Sequence, residues 1–304
     1  MASLLAQSDA SGLGQLSRAE LQELALLYRQ VAADLSVLRQ DATARSYALH
    51  VNQLLARAHH IIYSGRKTSA LTLFRFLRDE YPAVFQRQVG FVLASLAVSL
   101  AWGVIGVALT SARPEFMRHF LGPDMIATME RHEMWTHSIV SMAPTATSLI
   151  MTNNLSVSFV TFASGILFGA GTFFYLFVNG MLLGVVGAAC HQYGMSVALW
   201  SFVAGHGSLE LPSIIIAGGA GFRLGHAMLF PGALRWKDSV ARGGVEAAKL
   251  VSGIIPLLVI AGCLEGFFSP SQAPVWLKFT VGGSLFTLLL LWLLRPVKAP
   301  QPAQ

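Results

Sequence analysis

From Met134 to Leu209 the chain runs without an Asp, Glu, Lys or Arg, and then Glu210 appears four positions after His206 in HGSLELP. The stretches on either side differ in pattern. Residues 1–87 mix polar and apolar positions with helical periodicity. In LSRAELQELALLYRQVAADLSVLRQ, Leu21, Leu24, Leu27, Tyr28, Val31, Leu35 and Leu38 recur at helical spacing behind a Ser17–Glu20 capping box. A second such helix is predicted over about 43–63. These stripes read as the core of a helical hairpin or as a partner-docking surface.

Beyond residue 88 the apolar runs reach the roughly 20 residues that a bilayer core demands. Six spans are predicted, over about 89–110, 155–177, 180–203, 207–229, 247–267 and 275–294. SIVSMAPTATSLIM, 138–151, reads as an interfacial or re-entrant helix, tolerated where protein covers its backbone. Asn153 and Asn154 stand where they would cap the second span's free N–H groups, and Asn179 and Gly180 where they would end it; one long, broken helix is the alternative. The expected fold is all-α: a polytopic membrane helix bundle over 88–296, an N-terminal cytoplasmic helical domain over 1–87, and a short tail over 297–304.

Composition strengthens this picture. The chain is 54% hydrophobic and only 12% charged, with two cysteines, Cys190 and Cys263, that read as packing residues. Its net charge of +6 does not point to nucleic acid, because ten of the 21 Lys and Arg residues precede residue 88 and none lies between Arg131 and Arg223. That distribution suits topology and anionic lipid. The N-terminal region, the loop with Arg235, Lys237 and Arg242, and the tail with Arg295 and Lys298 are expected on the cytoplasmic side, and 111–137 outside. Three crossings then lie between the outer 111–137 and the inner 231–246. In RKTSALTLFRFLRDEYPAVFQRQVGF, the cations Arg66, Lys67, Arg75, Arg78 and Arg87 are expected to meet lipid headgroups. MASLLAQSDASGLGQLSRAEL lacks the basic head and apolar run of a cleavable signal sequence.

Small residues recur at four-residue spacing, at Gly165 and Gly169, Gly180 and Gly184, Gly221 and Gly225, Gly262 and Gly266, where helices in a membrane approach closely. AGGAGF, with Gly219 and Gly221, lacks the lysine of a phosphate-binding loop and reads as helix packing. Arg223 beyond it is placed to snorkel or to pair with Glu246. His206 and Glu210 share one helix face, and HGSLELP lacks the second histidine of the His-Glu-x-x-His protease signature. Glu265 falls at a matching depth. His226 lies about 30 Å away at 1.5 Å per residue and is a poor co-ligand, and His191 falls on another segment. The cluster His206, Glu210 and Glu265 reads as a structural hydrogen-bond network, an ion or partner site, or a catalytic centre. No nucleophile elbow occurs, and no catalytic residue, cofactor or bound metal is assigned.

IMTNN, FASGILFGAGTFFYLFVNGMLLG, HGSLELPSIIIAGGAGFRLGHAMLFPG and IPLLVIAGCLEGFFSPS together resemble the stage II sporulation protein M family of bacterial multi-pass membrane proteins. The beginning, through VNQLLARAHHIIYSG, resembles longer members, so the likeness covers about 16–296. It implies an all-helical protein of the bacterial cytoplasmic membrane that anchors peptidoglycan-remodelling enzymes or works beside MoxR-type ATPases, and the expected role is that of a scaffold without turnover of its own. Family signatures fall on Asn153, Asn154, Gly165, Asn179, Gly180, His206, Gly207, Glu210, Gly219, Gly221 and Glu265. A homodimer through the glycine-rich faces is expected as well. The rival readings are a transporter, channel or lipid-handling protein, and an intramembrane metalloenzyme.

Overall fold

The capping box is formed. The Ser17 N–H donates to Glu20 Oε2 at 2.7 Å and the Glu20 N–H donates to Ser17 Oγ at 3.3 Å, starting a helix over Arg18–Leu38. The computed structural model describes residues 2–11, 17–38, 44–63, 70–134 and 143–296. Arg66, Lys67, residues 138–142 and the tail 297–304 lie outside them. All regular structure among the described residues is helical.

The chain divides into two units, Met1–Arg75 and Phe76–Gln304. In the first, α1 (Ala2–Ser11), α2 (Arg18–Leu38) and α3 (Arg45–Tyr63) are followed by the short α4 (Ala70–Arg75). Leu5, Leu24 and Ala58 form its core, with Leu4, Tyr28 and Leu54 against them. Leu24 and Leu35 of the α2 stripe are buried, whereas Leu21 stays exposed.

The second unit begins with a π-helical turn over Phe76–Glu80 and α5 (Tyr81–Arg87). Its long helices are α6 (Val89–Ala112), α9 (Ala143–Ala163), α10 (Ala170–Gln192), α11 (Ser196–Leu229), α12 (Trp236–Cys263) and α13 (Val275–Leu294). The short α7 (Pro114–Leu121) and α8 (Pro123–Glu130) lie between α6 and α9. Contacts fix the directions. Gln192 at the end of α10 donates to the Thr110 carbonyl near the end of α6, so these two helices are parallel. Ser239 Oγ, early in α12, donates to the Ala227 carbonyl, late in α11, so these two are antiparallel.

Four segments among the described residues are long and apolar enough to cross a membrane, against six expected: Val89–Ala112, Ala170–Gln192, Trp236–Phe268 and Val275–Leu294. The other two long helices are more polar. α9 carries Asn153 and Asn154, and α11 carries His206, Glu210 and Arg223. Leu100, Val104, Leu288 and Leu291 stand exposed on the outer helices, a surface that suits lipid rather than water.

The expected span boundaries in the middle of the chain need correction. Asn153 and Asn154 lie inside α9, which begins at Ala143, and so cap nothing. Asn179 and Gly180 likewise lie inside α10 and end no helix. Asn179 Nδ2 donates back to the Tyr175 carbonyl at 2.8 Å. Gly180 is small because the backbone of α6 at Ser99 passes against it, as Gly103 passes against Gly184. The chain turns earlier, at a 3-10 turn over Ser164–Ile166 followed by Phe168 and Gly169 at positive φ, 55° and 85°. The next reversal falls at Gly194, so residues 193–195 separate α10 from α11, and His206 is inside a helix rather than at its start.

Glycine spacing is explained within one chain. Gly165 meets Gly221, Gly169 meets Gly225 and Gly262 meets Met151. Gly219 sits against Val92 of α6. α11 runs through the middle, its Leu209, Ile216, Ala217 and Ala220 sharing a core with Val92, Leu250, Ile254 and Leu289. Tyr81 of α5 enters this core, stacking on Trp292 at 5.1 Å and donating from its hydroxyl to the Leu250 carbonyl at 3.0 Å. At the opposite end, Met117, Ile126 and Met129 of α7 and α8 cover Ala189, Cys190 and Met195. Cys190 is a buried packing residue as expected, while Cys263 is exposed, and both are free.

Candidate functional site

HGSLELP lies on α11 and ends at Pro212, with His206 and Glu210 turned toward the π-helical turn that follows α12. His206 is only 6% exposed. Glycines flank it, and Gly205 leaves room for the Phe268 ring, while the Phe202 ring stands edge-on to the imidazole at 5.3 Å. His206 Nδ1 and Ser269 Oγ are hydrogen-bonded at 2.9 Å. That contact fixes the ring and leaves Nε2 facing Glu265, whose Oε1 is 4.0 Å away.

Glu265 arrives from another element. α12 continues into a π-helical turn over Leu264–Phe268, a wider winding often found at functional positions, and this turn presents both Glu265 and Phe268 to α11. Asn154 of α9 donates from Nδ2 to Glu265 Oε2 at 3.2 Å. Glu210, one turn beyond His206, completes the group, and ligand atoms of His206, Glu210 and Glu265 all lie within 4.8 Å of one another. Glu210 Oε2 is closed to solvent and has no hydrogen-bond partner among the described residues. Lys278 of α13, 8% exposed, donates from Nζ to the Ser269 carbonyl at 2.6 Å, tying a fourth helix to the residue that orients the imidazole.

The structure thus brings together the three residues that the sequence linked, and leaves out the two histidines set aside. His191 Nδ1 is 3.3 Å from Ser196 Oγ at the α10–α11 turn, and His226 packs on Phe91 and Phe230. Asn154 has a role that the capping argument missed. Its signal was an amide in an apolar run, which needs a partner wherever it is buried. Ser269 and Lys278 were also missed; Ser269 stands four residues after Glu265, one turn further on.

A second polar group lies at the other end of α11. Arg223 Nε and one of its terminal nitrogens each stand 2.8 Å from Glu246 Oε2 of α12, so the pairing alternative is the one adopted. Gln88 Nε2 donates to the same oxygen at 3.1 Å, and Arg242 Nε is 3.6 Å from Oε1. Arg75, Arg78 and Arg87 are exposed.

Fold and site together define an all-helical integral membrane protein with a histidine–carboxylate cluster held between its helices. The stage II sporulation protein M family profile matches residues 92–270, more than half of the chain, and the chain belongs to that family. A domain of unknown function matches residues 1–64. An uncharacterized protein of Methanocaldococcus jannaschii is 30% identical over 126 residues, 41% of this chain and 71% of the relative. No solved structure matches.

Proposed function

We infer that the chain is a non-enzymatic membrane scaffold, in which the first unit binds a protein partner and the second holds it at the membrane. The observation that supports this best is the surface of the first unit. Around a core of Leu5, Leu24 and Ala58, the side chains of Leu26, Tyr47 and Leu49 are 55%, 72% and 61% exposed. Large apolar groups left outside so small a core favour a covering partner. Envelope-remodelling enzymes and MoxR-type ATPases are the partners that the family resemblance implies. The family resemblance favours a bacterial cytoplasmic membrane, and the charge pattern favours both termini on its cytoplasmic side. The scaffold reading does not rest on a homodimer, because the glycine faces that argued for one pack within the chain.

A photo-crosslinking residue in place of Tyr47, activated in native membranes, is expected to capture a second protein species. Recovery of only the uncrosslinked chain overturns the reading.

One observation favours lipid handling as a second reading. A cavity of about 690 Å³ lies between α6, α10 and α11, lined by Leu100, Val104, Leu183, Trp200 and Ile214, with Asn179 among its few polar groups. Its scale and apolar lining suit an acyl chain. Lipid movement in reconstituted vesicles that a tryptophan at Leu183 abolishes supports this reading, and absence of movement removes it.

A further inference from the structure

We propose that His206, Glu210 and Glu265 bind one divalent transition-metal cation of the zinc class, clasping α11 to the π-helical end of α12. This inference is independent of the scaffold reading.

Charge is the first argument. Two carboxylates within a few ångströms, in surroundings this apolar, repel one another and lose hydration. A divalent cation between them balances both charges, and the imidazole contributes a neutral donor.

Geometry is the second. Zinc bonds of about 2.0–2.1 Å in a tetrahedral site place donor atoms roughly 3.4 Å apart. Here Nε2 and Glu265 Oε1 are 4.0 Å apart, and the whole set falls within 4.8 Å. Closing from these distances takes side-chain torsions, not helix movement.

The surrounding groups supply the third. Metal-binding histidines usually engage their other ring nitrogen, and ligating carboxylates are themselves hydrogen-bonded. Ser269 holds Nδ1 of His206, and Asn154 holds Oε2 of Glu265, so in each case the opposite atom faces the cluster. Glu210 Oε2 is a buried carboxylate oxygen without a hydrogen-bond partner among the described residues, and a cation at the centre supplies one. A nitrogen and two carboxylates, with one position left for water or another oxygen, suit zinc better than calcium or magnesium, which take six or more oxygen donors.

The test uses the full chain, purified in mild detergent without chelator. Elemental analysis is expected to find about one equivalent of zinc or a neighbouring transition metal, and Glu210→Gln is expected to lower it at least about fivefold. Because substitutions here can disturb folding, the unaltered chain carries a second readout. Chelator treatment lowers its Tm, zinc restores it while magnesium does not, and cobalt loading gives the visible bands of a low-coordinate site. Less than about a tenth of an equivalent, with no cobalt bands and no response of Tm to zinc, overturns the proposal and leaves a proton-sharing network. Equal metal content in a folded Glu210→Gln protein overturns it too, as does equal restoration by magnesium.

Discussion

Glu246 carries the far end of α11 through two arginines and an amide, and its role is separable by substitution. Removing it leaves Arg223 part-buried beside the Phe91 ring with no carboxylate. Breaking a buried pair costs about 3–5 kcal/mol, and the partial exposure here reduces this to roughly 1–3 kcal/mol for Glu246→Ala. Replacing both Arg223 and Glu246 with methionine is expected to recover much of that loss, because neither uncompensated charge remains. Thermal unfolding of the two variants in detergent compares them, and equal losses would refute the argument. In the first unit, hydrogen bonds from Ser17 hold the Glu20 carboxyl below its ordinary value. A depressed carboxyl value stabilises the fold above the unfolded value and loses that contribution as pH falls through the folded one. Hydrogen exchange at Ser17, corrected for its intrinsic rate, is therefore expected to show protection falling as the solution is acidified below about pH 4.5, and Glu20→Gln to weaken that dependence.

Glycines at the element scale divide into those that a neighbour requires and those that it does not. Gly184 faces the backbone of Gly103, which cannot step aside, whereas a methyl group at Gly244 meets nothing. Gly184→Ala is expected to destabilise the α6–α10 pair by about 1–3 kcal/mol, and Gly244→Ala to be neutral or stabilising by up to about 1 kcal/mol. Unfolding midpoints in detergent check both signs. The same glycines show what the sequence could and could not convey. Four-residue spacing identified close helix approach, and the approaches exist. Spacing alone does not distinguish Gly180, which lets α6 approach, from Gly169, which turns the chain at positive φ, so the second expected span runs to about 177 whereas α9 ends at Ala163. The polar triad was legible because Glu210 and Glu265 interrupt apolar runs at matching depth. Asn154 and Ser269 were not recognised as its partners, because their roles depend on the start of α9 and the π-helical turn after α12. Neither has a local sequence signal as strong as a charge in an apolar run.

At the scale of the molecule, the change from polar to apolar sequence near residue 88 and the limit of the second unit at Phe76 are different boundaries with different physical content. The first marks where the chain becomes apolar enough for lipid. The second is set by side chains that enter the bundle from 76–87. Tyr81 stacks on Trp292 and bonds to the Leu250 carbonyl. Trp292 Nε1 donates to the Leu77 carbonyl at 3.1 Å, and Gln86 Nε2 donates to the carbonyls of Leu293 and Arg295, both at 2.9 Å. The end of α13, whose last carbonyls have no partner in their own helix, is thus satisfied by α5. Two truncations distinguish the boundaries. A chain of residues 76–304 is expected to insert and to keep the unfolding midpoint of the bundle within a few degrees, whereas residues 88–304 lose the Tyr81 packing and the α13 cap together. Burial of an aromatic side chain of this kind is worth about 3–5 kcal/mol, so the shorter chain is expected to unfold markedly earlier and to expose Trp292. Tryptophan fluorescence during thermal unfolding reads both effects, and equal midpoints for the two truncations would show that residues 76–87 do not hold the bundle together.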